Sequence, residues 1–417
     1  MSENLSSQLE TYLPPPILKL VRDAGEKASA LGLGVYLVGG MVRDLFLGRP
    51  NYDLDLVAEG DAIKLAHALA NESNGKLTTH PRFGTANLRY SDFSIDLATA
   101  RRENYSRPGA LPTVQPGRLV DDLIRRDFSI NAMSICLTPQ RFGELIDLYH
   151  GKEDLKNKLI RILHPDSFTD DATRILRAIR YEQRLGFKLE AETEKVLRRD
   201  IAMLETISGD RLRHELYNIL VKEPEPERVF ARAEELGVLK QLYPSLKGNG
   251  WLGQKFAKTR RLYKRISPAT IYLCLLVYNF SQQEIGHFIA LFNLPRTLAE
   301  AMLHAIQLKA QLHDLDNPKI KPSEIYRLLH PYTAQAIRAN IVATDLLTAE
   351  RHMKMYLDRL YYVKPLLNGD DLLKMGIPSG PQMGEVLKAL LDTKLDGKFK
   401  TSEEEEEFVR ALRSGKP

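Results

Sequence analysis

The stretch from Tyr36 to Asp55, YLVGGMVRDLFLGRPNYDLD, restricts the possible folds of this chain more than any other. An apolar, β-branched segment (Val35–Val38) runs into Gly39-Gly40, then a short helical pattern, a Gly-Arg-Pro-Asn turn and a second strand. That strand carries Asp53 and Asp55. Side chains alternate faces along a strand, so residues two apart point the same way, with Leu54 and Leu56 turned to the core. Two carboxylates on one face repel each other. Either solvent separates them on an edge strand, or they are hard-oxygen ligands for a divalent cation. Gly39-Gly40, between strand and helix, is either a plain tight turn or a turn whose N–H groups and helix end hold phosphate. The earlier Gly32-Leu33-Gly34 is followed by Leu37, not glycine, so the dinucleotide fingerprint fails.

The carboxylates belong to a mixed α/β segment. A helical stripe fills Pro14 to about Ala30, and a second helix is expected over 61–72, with His67 on its face. Three strand patterns follow at Lys76–Thr79, Thr85–Tyr90 and Phe93–Ala98, the last two joined by a turn at Ser91-Asp92. Asp96 alternates with Ile95 and Leu97, so a third carboxylate can join the pair from a neighbouring strand. Arg101–Arg118 carries four basic residues and one acid among prolines and glycines, and reads as a long loop. Helical periodicity returns at Leu119 and leads into Arg125-Arg126-Asp127-Phe128-Ser129-Ile130-Asn131-Ala132-Met133. Guanidinium groups there suit phosphates, and Asp and Asn suit ribose hydroxyls; ordinary helix ion pairs are the plain alternative. Leu145-Ile146-Asp147 closes the sheet before Gly151.

Beyond residue 151 the pattern turns helical. Asp170-Asp171-Ala172-Thr173-Arg174-Ile175-Leu176-Arg177 opens a helix, so Asp171 and Arg174, three apart, share a face opposite its apolar stripe. Adenine and cytosine present an amino donor beside a ring-nitrogen acceptor, and guanine and uracil the reverse. A carboxylate and a guanidinium side by side therefore match A and C; a surface ion pair at a helix start is the plain alternative. Arg211 and Arg213 open another helix, and Lys258 and Arg260 lie in KFAKTRRLYKR, where basic residues alternate with Phe256, Leu262 and Tyr263. Each is either an RNA contact or solvated helix surface. Further helical stripes fill 268–391 with no fixed repeat, and Glu403–Glu407 starts a last short helix as a solvated acidic face.

Composition sets the outer limits. With 417 residues, 43% hydrophobic and 27% charged, the chain has room for two to four globular domains. A net charge of +5 is compatible with nucleic acid without requiring it. Cys136 and Cys274 lack metal spacing and read as buried thiols, and no signal pattern or spanning segment is expected, which together point to the cytoplasm.

Taken in order, Gly39-Gly40-x-x-Arg43-Asp44 with Asp53-x-Asp55, the Arg125–Met133 block, and Asp147 with Gly151 resemble the class II tRNA nucleotidyltransferase and bacterial poly(A) polymerase family. Asp371-Leu372-Leu373 through Gly380-Pro381 resembles that family's tail. The resemblance implies an α+β architecture: a nucleotidyltransferase head like that of DNA polymerase beta (1–150), an all-α neck (151–240), and a helical body and tail (241–417). It implies addition of C and A to the tRNA 3′ end from CTP and ATP, with Asp53, Asp55 and Asp96 catalytic. Asp53 and Asp55 would hold two Mg²⁺ ions, or Mn²⁺ in their place. Nucleotide contacts fall to Gly39, Gly40, Arg43, Arg126, Asp127, Asn131, Asp171, Arg174 and Arg177, and RNA contacts to Arg211, Arg213, Lys258 and Arg260. Asp170 stands where many members have Glu. The 101–118 segment resembles the family's flexible loop. A monomer or homodimer is expected, with no membrane partner. A-only or CC-only addition, poly(A) synthesis and a non-catalytic RNA-binding protein remain as alternatives. The segment from Thr79 to Ile95 lacks the arginine-rich strand of the poly(A) branch, and retention of both Asp53 and Asp55 opposes a retired site.

Overall fold

The computed structural model describes residues 3–71, 75–91, 93–107, 109–110 and 112–413. The chain divides into two compact units. The first comprises Met1–Glu215 with Arg232–Pro244, the second Leu216–Ala231 with Ser245–Pro417.

The first unit is built on a seven-stranded mixed sheet. Its strands are β1 (Gly34–Val38), β2 (Leu54–Glu59), β3 (Lys76–His80), β4 (Thr85–Arg89) and β5 (Ser94–Thr99). After the hairpin strands β6 (Arg101–Asn104) and β7 (Thr113–Pro116) come β8 (Ser134–Cys136) and β9 (Leu145–Ile146). The order across the sheet is β3-β4-β5-β2-β1-β8-β9, with β2 and β5 parallel and every other pair antiparallel. Alternation along β2 and β5 buries Leu54, Leu56, Ile95 and Leu97 against the face covered by the helices Pro15–Ala30 and Ala62–Ala70. The opposite face is only partly covered. Tyr36, Val38, Val57 and Cys136 pack there against Leu119 and Leu123 of the helix Leu119–Ile124. On the part left open lie Asp55, half-buried, and Asp96, exposed.

Local chemistry sets the boundaries. Asp61 caps Ala62–Ala70 by accepting from Lys64 N; the expected end at Glu72, like Asp92 of the expected turn, lies outside the described residues. The polar start contains a short helix, Ser6–Tyr12, because Leu5, Leu9 and Leu13 repeat every four residues and are all buried. Arg101–Arg118 is not a bare loop: β6 and β7 pair from Arg101↔Pro116 to Asn104↔Thr113. The Arg125–Met133 block is not helical. The helix stops at Ile124, a 3₁₀ turn spans Ser129–Asn131, and Asp127 accepts from the N–H of Phe128 and so competes with helix continuation. The segment after residue 151 is not purely α, since Leu159–Ile160 and Lys188–Leu189 form a short parallel ladder.

Asp147 and Gly151 work together. Asp147 accepts from Gly151 N and Lys152 N at the start of the helix Gly151–Asn157, at 2.8 and 2.9 Å. A Cβ on Gly151 would lie 2.3 Å from the carbonyl oxygen of Ser129, so only glycine fits.

The second unit is helical, with helices at Gly250–Leu262, Ala269–Leu276, Gln282–Leu291, Arg296–Ala310, Pro322–Leu329, Ala334–Ala343, Leu347–Asp358 and Pro381–Leu395. One core gathers Leu308, Ile325, Ile337, Met353 and Tyr356, and a smaller one Leu372, Leu390 and Val409. The acidic start of the helix Ser402–Arg413 is not wholly solvated: Glu405 is fully buried and accepts from Leu366 N, Leu367 N and Lys394. Cys136 and Cys274 are buried free thiols. Among the described residues no helix is long and apolar enough to cross a membrane.

Candidate active site

The antiparallel pairing of β1 with β2 sets Val38 opposite Asp55, so the chain leaving β1 turns at Gly39 directly beside that carboxylate. Gly39 has φ +78°, and a Cβ there would lie 3.3 Å from Asp55 Oδ2 and 3.2 Å from Arg126 Nη1. The positive φ calls for glycine, and the close approach leaves little room for a side chain. The parallel register of β2 with β5 places Asp96 beside Asp55 on the same face. Asp53 precedes the strand and is exposed, its N–H held by Asn51 Oδ1 at 3.0 Å. Asp96 is exposed as well and accepts from Asn87 at 2.8 Å.

These carboxylates strain against one another. Burial, then the charge of Asp53, pushes the Asp55 carboxyl up to about 6; Arg126 opposes the shift, and Asp96 and Asp122 add to it. Such a group gains from a nearby cation. Among the described residues no set of three or more His, Cys, Asp and Glu side chains is arranged to hold an ion by itself. Mg²⁺ commonly takes one or two carboxylates and completes its shell with substrate phosphate and water. The half-buried carboxylate of Asp55 beside the like-charged Asp53 fits that mode.

The pocket over Asp55 has a volume of about 470 Å³. Gly39, Gly40, Asp55, Arg126, Asp127, Asn131, Asp171, Arg174, Arg177 and Arg211 all line it. Arg125 and Arg126 both pair with the fully buried Asp122, at 2.6 and 2.9 Å. Arg126 Nε is buried with no hydrogen-bond partner.

Behind this wall runs a hydrogen-bonded chain. Arg177 donates to Asp127 from Nε at 3.0 Å and Nη2 at 2.5 Å, and Asn131 donates to Asp127 at 2.9 Å. Asn131 accepts from Arg43 Nη1 at 2.8 Å, while Arg43 pairs with Asp44, which also holds Asn51. Although burial pushes it up, the Arg177 guanidinium and the Asn131 amide hold the Asp127 carboxyl below its usual range. Arg43 is buried and sits behind Gly40, bracing the turn from outside the pocket lining.

The expected side-by-side Asp171 and Arg174 is corrected in detail. Asp171 has extended backbone and precedes the helix Thr173–Leu185, since its carboxylate accepts from Thr173 N and Oγ1. Its ion-pair partner is Arg211, at 2.7 Å. Arg174 is buried and donates to Ser167 Oγ at 2.8 Å and to the Arg125 carbonyl at 2.5 Å. Both still line one pocket. Asp170 lies 3.8 Å from His164, and burial raises its carboxyl above the usual range.

Several lining residues were not anticipated. Glu103, the single acid of the 101–118 segment, accepts from Arg101, Arg125 and Tyr105. Its solitary charge among arginines was the available signal. Tyr181 lines the pocket with the guanidinium carbons of Arg43, Arg177 and Arg180 at 5.4, 5.8 and 5.3 Å from its ring centre. Of the expected RNA contacts, Arg211 lines the pocket over Asp55, and Arg213 pairs with Asp210. Lys258 and Arg260 belong to the second unit and pair with Glu350 and Glu227 there.

Residues 35–161 match the family described as "Poly A polymerase head domain", and residues 186–248 match "Probable RNA and SrmB- binding site of polymerase A". The A-adding tRNA nucleotidyltransferase of Halalkalibacterium halodurans is 31% identical over 98% of this chain and 96% of its own length. That of Geobacter sulfurreducens is 33% identical over 95% of this chain, which spans 47% of that longer relative. The structure of the Thermotoga maritima CCA-adding enzyme complexed with tRNA superposes with a TM-score of 0.78 at 33% identity, covering 99% of each chain.

Proposed function

Because the chain belongs to the tRNA nucleotidyltransferase family, we propose that it transfers nucleotides, without a nucleic-acid template, from a nucleoside triphosphate to the 3′ end of tRNA. The observation that carries this reading is one pocket joining Asp55, the orphaned donor of Arg126, and Asp171 with Arg174. A triphosphate with a base fits such a pocket, with its phosphates toward Gly39-Gly40 and Arg126 and its base toward Asp171.

In the proposed reaction the RNA 3′-hydroxyl oxygen forms a bond to the α-phosphorus. The bond from that phosphorus to the β-bridging oxygen breaks, and pyrophosphate leaves with the electron pair. Gly39 and Gly40 offer N–H groups at the start of the helix Gly40–Phe46, and Arg126 offers a guanidinium to the phosphate oxygens. Asp53 and Asp55, with Asp96 beside them, would hold divalent cations; when bound, these supply positive charge that acidifies the hydroxyl and neutralises the leaving phosphate. Asp171 accepts from an exocyclic amino group, a donor that A and C share on their pairing edge and that U lacks. Arg174, fixed by Ser167 and the Arg125 carbonyl, stands beside it.

AMP transfer to a tRNA ending in CC is the step we assign first, in line with the A-adding relatives. A second reading, addition of the whole CCA end, is favoured by the likeness to a CCA-adding enzyme along the full chain. The test supplies tRNA lacking CCA, lacking CA or lacking A, with CTP, ATP or both, followed by sequencing of the products. AMP added to tRNA ending in CC supports the reading, and CMP added to tRNA lacking CCA extends it. A protein that extends none of the three contradicts it.

A further inference from the structure

Arg211 extends from the helix Gly209–Lys222 into the nucleotide pocket and donates through Nη2 to Asp171 Oδ1 at 2.7 Å. The same oxygen accepts from Thr173 N at 3.0 Å and Thr173 Oγ1 at 2.6 Å. Among the described residues no hydrogen bond falls on Oδ2. A carboxylate oxygen accepts through about two lone pairs, so three donors on Oδ1 direct the carboxylate's remaining capacity to its other oxygen.

From this arrangement we propose that Arg211 is a positioning residue for base selection: it locks Asp171 so that Oδ2 accepts the exocyclic amino group of adenine or cytosine. The proposal rests on the nucleotidyltransferase reading of the pocket and names a residue that sets its specificity. Thr173 alone is a weaker lock. Both of its donors come from one residue two positions along the chain, so they hold the carboxylate from one side only. Arg211 adds a third donor from a separate helix and so fixes the plane. Both partners of the pair are partly shielded, with side-chain exposures of 28% and 22%, which gives the contact more weight than a surface ion pair. Arg174 cannot take over this task, because its two terminal nitrogens are held by Ser167 and the Arg125 carbonyl.

The experiment measures equilibrium binding of ATP and of UTP to the full-length wild-type protein, Arg211→Ala and Arg211→Lys, together with tRNA affinity and thermal unfolding. Steady-state kcat and KM for each nucleotide follow on a tRNA ending in CC. The expected result is a fall of about tenfold or more in the ATP-over-UTP binding ratio for Arg211→Ala, the scale of one charge-assisted hydrogen bond. The loss should appear mainly in KM for ATP, with tRNA affinity unchanged. Lysine keeps a point charge without the planar fork, so Arg211→Lys should recover part of the ratio and serve if the alanine variant folds poorly. An unchanged ratio in both variants overturns the proposal, as does weakened tRNA binding with the ratio intact, which would make Arg211 an RNA contact. Failure of the underlying reading is visible separately, as wild-type protein that binds nucleotide and transfers none; the binding ratio still decides the role of Arg211.

Discussion

Asp55→Asn is expected to reduce nucleotide incorporation by about 10³-fold or more while leaving the protein folded. Losing one carboxylate ligand from a cation-assisted displacement removes several kcal/mol of transition-state stabilisation, and about 4 kcal/mol corresponds to about 10³ in rate. The amide is isosteric, so Gly39 and Arg126 keep their packing around it. The substitution also removes one member of a repelling group, since the charges of Asp53, Asp96 and Asp122 all disfavour an ionised Asp55. In the presence of a chelator the unfolding midpoint should therefore stay the same or rise. Single-turnover incorporation on tRNA and a thermal melt measure the two effects. Wild-type rates in the variant would remove Asp55 from the chemistry.

Asp127→Ala should have the largest effect on stability. Asp127 is buried and accepts from both arms of Arg177, from Asn131 and from the N–H of Phe128. Removing one partner of a fully buried pair costs about 3–5 kcal/mol, and here the charge left behind, Arg177, is 32% exposed, which lowers the cost. Glu215, 3.8 Å from Arg177, takes up part of that charge, so the lower end of the range is expected. The sign with pH follows from a carboxyl held below its usual range in the folded state. Its contribution is present above the unfolded pKa of about 3.9 and is lost as pH falls through the lower folded value. Denaturant unfolding at pH 7 and at pH 3 should show a wide gap between wild type and variant at neutral pH and a smaller one in acid. A gap that does not narrow would show that lost packing, not the charge pair, dominates.

The carboxylate end of the candidate site was legible in the sequence because its signals are local. Asp55 and Asp96 follow the two-residue period of a strand, although Asp53 lies just before β2, and Gly39 marks a conformation that other residues avoid. Their convergence needed only the β2–β5 register, which places Asp96 beside Asp55. The end proposed to read the base was less legible because tertiary contacts overrode local pattern. The sequence DDATRILRA reads as one helix, yet Asp171 caps its start from outside and turns toward Arg211, forty residues along the chain. No local rule distinguishes Arg211 from Arg213 two positions later. The hairpin at 101–116 was hidden for a different reason. Its backbone ladder runs through a segment whose composition is dominated by proline and glycine, and Glu103 ties it to Arg125, a contact far along the chain.

One protein surface is proposed both to hold the triphosphate and to read its base, and the Asp171→Ala variant tests this most directly. The measurement is kcat/KM for ATP, CTP, UTP and GTP on a tRNA ending in CC, with the wild type alongside. Loss of a hydrogen-bonding group from a site that discriminates by hydrogen bonding is expected to shrink the preference for ATP over UTP by about 10²-fold. Incorporation itself should persist, because the carboxylates around Asp55 remain. An unchanged ranking of the four nucleotides would contradict the account and place base selection elsewhere.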